Sequence, residues 1–247
     1  MIPRKAHFIY GEHNVSPMPE KGMVNMGRFT ELNRGWESRL LTIDETNPEH
    51  ADIFEWNKLA WSQVVRYETV LQHGGLYSDV DIEFYGPVPS MEDCDLMVAC
   101  ETHGGVSDAF YAARPGHPIL EECFSGSVQW CRKLMDSGKD GFTTREMFNG
   151  CGVTFFSKTI KKHTGLKFFY DKQIHMTNRD FGGRFHPENG VGILPFEALC
   201  RHNTANWVGW HQCWGSWRPA TESGEVDMTL EACITTNLNT SRTIGSD

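Results

Sequence analysis

Apolar residues in this chain follow two rhythms. Short runs rich in β-branched and aromatic side chains, KAHFIYG at 5–11, SRLLTI at 38–43, DLMVAC at 95–100 and DAFYAAR at 108–114, predict strands. Between residues 53 and 73 there is neither Gly nor Pro, and Ile53, Trp56, Ala60, Val64, Tyr67 and Leu71 recur at helical spacing. That spacing predicts one long helix, stopped by Gly74 and Gly75. HPILEECFSGSVQWCRKLM at 117–135 predicts a helix opening at a proline. Residues 12–22 read as a loop, RFTEL at 28–32 as a short helix followed by a turn at Asn33 to Gly35, and 143–163 as a Gly-containing turn followed by a helix. Residues 165–217 read as short strands and loops. Strands alternating with helices predict an α/β architecture with a mainly parallel sheet flanked by helices.

Composition narrows the class. With 39% hydrophobic residues, 15 Phe and 8 Trp in 247 residues, the chain has material for a packed core and too much of it for a disordered segment. The formal net charge of −9 and the lack of a long Lys/Arg run argue against nucleic acid or an anionic membrane as a partner. No apolar run reaches about 18 residues, and the N-terminus resembles no signal peptide. A cytoplasmic chain without a membrane span is the expectation. The eight cysteines include no Cys-x-x-Cys pair, so free, buried thiols are expected.

The chemistry is concentrated in GGLYSDVDIEF, residues 74–84. In an extended segment side chains alternate faces, so Asp79 and Asp81 would point the same way, about 7 Å apart at the backbone. Two carboxylates sharing one site make a hard-oxygen donor set suited to Mg²⁺ or Mn²⁺, which keep open positions for phosphate oxygens. A bare Asp-x-Asp also arises as a turn cap beside a solvated acid.

A resemblance favours the metal. IPRKAHFIYG, WSQVVRYETVLQHGGLYSDVDIEF, GHPIL, FNGCGVTFF and WHQCWGSW are similar, in that order, to the blocks of glycosyltransferase family 32. The similarity spans roughly residues 2–217, and its specific part is Arg66-Tyr67 followed by Gly74-Gly75-x-Tyr77-x-Asp79-x-Asp81. It implies a GT-A type nucleotide-sugar-binding fold over residues 1–218, with 219–247 a polar extension of the same domain. It also implies a metal-dependent, retaining transfer of a sugar from a nucleoside diphosphate sugar to a glycan or other hydroxyl acceptor. By the same resemblance Asp79 contacts the donor and orders the metal shell, Asp81 binds the cation, and Arg66 touches donor sugar hydroxyls. Tyr10 stacks on the nucleobase and Asn149 lies near the donor sugar. His211 is a third metal ligand, and Ser216 and Trp217 close over the diphosphate, with Gly209 and Gly215 fitting a lid. Gln63 stands where many relatives have an Asp that binds the donor sugar, which leaves the donor's identity open. Glu101 and Asp108 lie where relatives line the sugar and acceptor pockets, yet each also reads as a turn or surface acid.

Two rival readings remain. An Asp-x-Asp phosphatase would want a long apolar strand before the pair and Thr or Val where Glu83 stands. A non-catalytic nucleotide-sugar-binding module is separated from an enzyme only by donor turnover.

Overall fold

The computed structural model describes residues 1–10, 18–92, 94–100, 105–139, 141–165, 185–186, 190–194 and 208–211. Within them β1 (Lys5–Ile9) is followed by α1 (Glu20–Leu32) and β2 (Glu37–Leu41). Then come α2 (Ala51–Trp56), α3 (Lys58–His73), β3 (Gly75–Ser78) and β4 (Ile82–Phe84). β5 (Leu96–Cys100) and β6 (Val106–Ala113) lead to α4 (Pro118–Asp136), α5 (Thr144–Gly150) and α6 (Val153–Thr164). Short strands β7 (Phe185–His186), β8 (Val191–Leu194) and β9 (Gly209–His211) complete the described set.

Seven strands form one sheet in the order β2-β1-β3-β6-β5-β8-β7. β1 runs parallel to β2 and β3, β5 parallel to β8, and β6 antiparallel to both β3 and β5. Five strands therefore point one way, with β6 and β7 against them, so the sheet is mainly parallel as the alternating pattern predicts. One face packs on α3, α4 and α6 through Trp61, Tyr67, Tyr111 and Phe156. The other packs on α1 and β4 through Phe8, Phe29, Phe84 and Phe110. Each such fully buried ring contributes about 1.5–3 kcal/mol of transfer free energy. The five described cysteines, Cys94, Cys100, Cys123, Cys131 and Cys151, are buried free thiols. Among the described residues no helix is long and apolar enough to cross a membrane.

The long helix expected over 53–73 is two helices. Asn57 is extended (φ −161°, ψ 112°), and its side chain accepts a hydrogen bond from Ala60 N at 3.0 Å, so it caps α3. Both helices bury apolar residues in the same core cluster, which is why the periodicity runs through the break. Helix α1 starts eight residues before the expected Arg28, because its Gly22 and Gly27 read as loop residues. The Asn149-Gly150 pair ends α5 instead of forming a turn, so 143–163 holds two helices.

The glycine pair before the acidic motif has a steric cause. Gly74 (φ +64°) caps α3, and a Cβ on Gly75 (φ +98°) would lie 2.4 Å from the carbonyl oxygen of Lys5. Only glycine lets the chain leave α3 and enter the sheet this close to β1.

Candidate metal centre and its charged surround

The acidic pair sits on a turn, not along a strand as the spacing alone suggests. Asp79 N donates to Ala109 O at 2.8 Å, the last main-chain tie to β6, and Ile82 N donates to Asp79 O at 3.3 Å. That bond closes a β-turn with Val80 and Asp81 at its centre. The chain then returns as β4, which pairs antiparallel with β9 so that Ile82 faces His211. Register thus delivers an imidazole from far along the sequence to the acidic turn.

Asp79, Asp81 and His211 each offer a ligand atom within 4.8 Å of the others. His211 Nε2 lies 3.3 Å from Asp81 Oδ1 and 3.9 Å from Asp79 Oδ2. Their side chains are 16%, 14% and 26% exposed for His211, Asp81 and Asp79, so the cluster is walled by protein yet open to a ligand. Two carboxylates and one imidazole suit Mn²⁺ or Mg²⁺, and the donor set fits such an ion.

Behind the turn stands Arg66, from the middle of α3. Its Nη1 donates to Asp108 O at 2.9 Å and lies 3.6 Å from Asp108 Oδ2; its Nη2 lies 3.5 Å from Asp79 Oδ1. The guanidinium stacks on Tyr77 at 4.7 Å, and the Tyr77 hydroxyl donates to Asp79 Oδ1. Gln63, one turn earlier on α3, bridges the set. With its oxygen facing Arg66 it accepts from Nη2 at 3.2 Å and donates to Asp108 Oδ2 at 2.9 Å.

Burial pushes the Asp79 carboxyl above the usual carboxylate range. Arg66 opposes that rise, Asp81 adds to it, and His211 and Tyr77 only partly offset it. Burial also works against a charged Arg66, but Tyr77, Asp79 and Asp108 outweigh it and hold the guanidinium protonated. Arg66 is thus shared between Asp79 and Asp108, while His211 stands beside Asp79 and Asp81.

The cluster lies at the C-terminal edge of the parallel strands, where open α/β sheets hold ligands. Against solved structures, the fold matches the PaToxG glycosyltransferase with a TM-score of 0.52 at 12% identity, over 66% of this chain and 70% of that one. The chain shares the GT-A fold of a solved glycosyltransferase. Weaker matches are the apo form of mouse xyloside xylosyltransferase 1 (TM-score 0.38, 9% identity, 67% of this chain and 83% of that one) and glycosyltransferase GlyE of Streptococcus pneumoniae TIGR4 (TM-score 0.35, 11% identity, 96% and 64%). No protein-family model matches the chain, and no curated protein sequence does.

The remaining expected residues are distributed unevenly on this fold. Tyr10 directly follows β1 and donates its N–H to Leu41 O at 3.2 Å. Because Ala6 pairs with Leu76 and His7 with Tyr77, Tyr10 emerges at the same sheet edge as Asp79. Asn149 is exposed; its amide donates to Arg145 O at 2.8 Å and its oxygen accepts from Lys158 at 3.1 Å, and neither partner belongs to the acidic cluster. Ser216, Trp217, Gly215 and Glu101 lie outside the described residues, as does the expected boundary at 218. Gly209 is a strand residue rather than a lid hinge: a Cβ there would sit 2.7 Å from Glu83 O across the β4–β9 pair.

Asp108 is neither a turn residue nor a surface acid. It lies in β6, 8% exposed, hydrogen-bonded into the Arg66 network. The sequence signal was its position inside an otherwise apolar strand, where a carboxylate survives only with partners. Tyr77 also belongs to the site, and its place one step before Ser78 in the glycine-aspartate motif was the available clue.

Proposed function

We propose that this chain is a glycosyltransferase of the family 32 type, moving a sugar with retention from a nucleoside diphosphate sugar to a glycan or other hydroxyl acceptor, with Mn²⁺ or Mg²⁺. The observation that carries the reading is the convergence of Asp79, Asp81 and His211 at the strand ends, with Arg66 joining Asp79 to Asp108 behind them. A divalent cation held there would offset the carboxylates and stabilise the diphosphate leaving group as the sugar–phosphate bond breaks.

The protein's own groups then divide the work. Asp81 and His211 hold the cation. Asp79, fixed by Tyr77 and Arg66, orders its remaining ligands and faces the donor. Arg66 and Gln63 meet the donor sugar's hydroxyls; an uncharged Gln63 selects by hydrogen-bond geometry rather than by charge. Tyr10, at the adjacent strand end, stacks on the base, while Ser216 and Trp217 close over the phosphates. Asn149 lies near the donor sugar in this reading.

The test is a thermal-shift panel of UDP-, GDP- and dTDP-sugars, with a CMP-sugar as the control lacking a diphosphate, each with and without Mn²⁺. A ligand at ~100 times its dissociation constant adds ~2.7 kcal/mol to stability. The expected result is a Mn²⁺-dependent shift for one diphosphate class that disappears in Asp81→Asn. No shift with any donor, from folded protein, removes the metal-diphosphate site.

A further inference from the structure

The peptide between the two acidic residues is held from outside the motif. Asn25, in the middle of α1 and 2% exposed, donates from Nδ2 to Val80 O at 2.9 Å across 55 residues of sequence. Val80 O belongs to the central peptide of the turn that the Ile82 N to Asp79 O bond closes. In a β-turn that peptide is the one whose reversal interconverts types I and II, and reversal re-aims the residue after it. Here that residue is Asp81. We propose that Asn25 is a positioning residue for the metal centre: its amide fixes the Val80–Asp81 peptide and so sets the direction in which Asp81 presents its carboxylate.

Three observations place the effect on α1 and on this one side chain. Gly22, one turn earlier on α1, faces the turn at contact distance, since a Cβ there would stand 3.6 Å from Val80 Cβ. Arg28, one turn later, donates from Nε to Phe84 O at 2.6 Å, so the same helix holds the strand that leaves the turn. Asn33 accepts from Val88 N at 2.8 Å further along, an amide-to-backbone bond of the opposite direction that does not touch the turn. Arg28 holds β4 and Asn33 the chain beyond it, whereas, among the described residues, Asn25 is the one that grips the peptide between the carboxylates. Ligand-orienting partners of this kind change metal affinity 10–100-fold when removed.

The inference rests on the metal reading above, and its test separates the two. Mn²⁺ is titrated into wild type, Asn25→Leu, Asn25→Ala and Asn33→Ala, with free Mn²⁺ followed by electron paramagnetic resonance and folding by thermal denaturation. Leu keeps the volume of the amide without the donor; Ala removes both and serves if Leu does not fold. Mn²⁺ affinity is expected to fall about 10-fold in the Asn25 variants and to stay within about 2-fold of wild type in Asn33→Ala. Unchanged affinity at Asn25, or an equal loss in Asn33→Ala, overturns the positioning role. Wild type that binds no Mn²⁺ overturns the metal reading itself.

Discussion

Helix α3 carries two buried carboxylate clusters built to opposite rules. Glu68 accepts from Asn47 and from Gln72 at 3.0 Å each, with His50 Nε2 at 3.5 Å. Burial would raise its pKa, but the close approach of His50 and the hydrogen bonds from Asn47 and Gln72 overcome it and hold the carboxyl below its ordinary value. Asp79 has Arg66, His211 and Tyr77 nearby, yet burial and Asp81 prevail and its carboxyl rises. The difference teaches how to tell a structural acid from a working one in the same fold. Where a carboxylate only braces two elements, the chain supplies donors until the charge is content. Asp79 sits beside a second carboxylate instead, and perturbed groups of this kind gather at functional sites.

Removing Arg66 should break the contrast most sharply. Arg66→Ala leaves Asp79 and Asp108 without their shared guanidinium, and losing one partner of a buried pair costs about 3–5 kcal/mol. Added Mn²⁺ should restore part of that loss in a chemical-denaturation series, which no substitution in the Glu68 cluster should allow. Asp81→Asn comes next. It should lower transfer about 10²–10³-fold, the range for losing one group that stabilises transition-state charge, while unfolding without metal shifts little or toward higher stability because Asp79 loses a like-charged neighbour. Steady-state transfer and a metal-free melt on the same sample read both signs.

Glu68→Ala should do the reverse, leaving the Mn²⁺-dependent shift intact and lowering stability by about 1 kcal/mol, since it takes the acceptor from the half-buried Asn47 amide. The smallest effect is in the acid limb of the stability curve. Glu68 has a folded pKa below its unfolded value, so between the two the unfolded chain binds more protons and stability rises with pH. Its contribution is present above the ordinary Glu value near ~4.3 and disappears as pH falls through the folded value. Glu68→Gln should flatten that limb, and an unchanged slope would mean that Glu68 is not held as its contacts indicate.

Some of this was legible from local patterning. The runs around β1, β5 and β6 and the Pro-initiated α4 appear where the residues point. The family resemblance, not local patterning, joined His211 to Asp79 and Asp81, and the three lie at one place. Other features were hidden because local rules could not weigh distant partners. Asn57 breaks a helix while leaving the apolar stripe intact, and Gly22 looks like a loop until Met18 and Val80 are seen against it. Asp108 reads as a surface acid until Arg66 and Gln63 are brought to it.

The sequence by itself determined the alternation of strands and helices, the glycine stop before the motif, and the placing of two carboxylates two residues apart, because side-chain periodicity and backbone freedom are properties of neighbouring residues. Tertiary structure alone decided that the pair sits on a turn pinned by Asn25, that β9 pairs with β4 and so brings His211 to it, and that Arg66 is shared between Asp79 and Asp108. Those depend on which surfaces meet when the sheet closes over its two cores, and the balance of charge at the site is fixed only by that meeting.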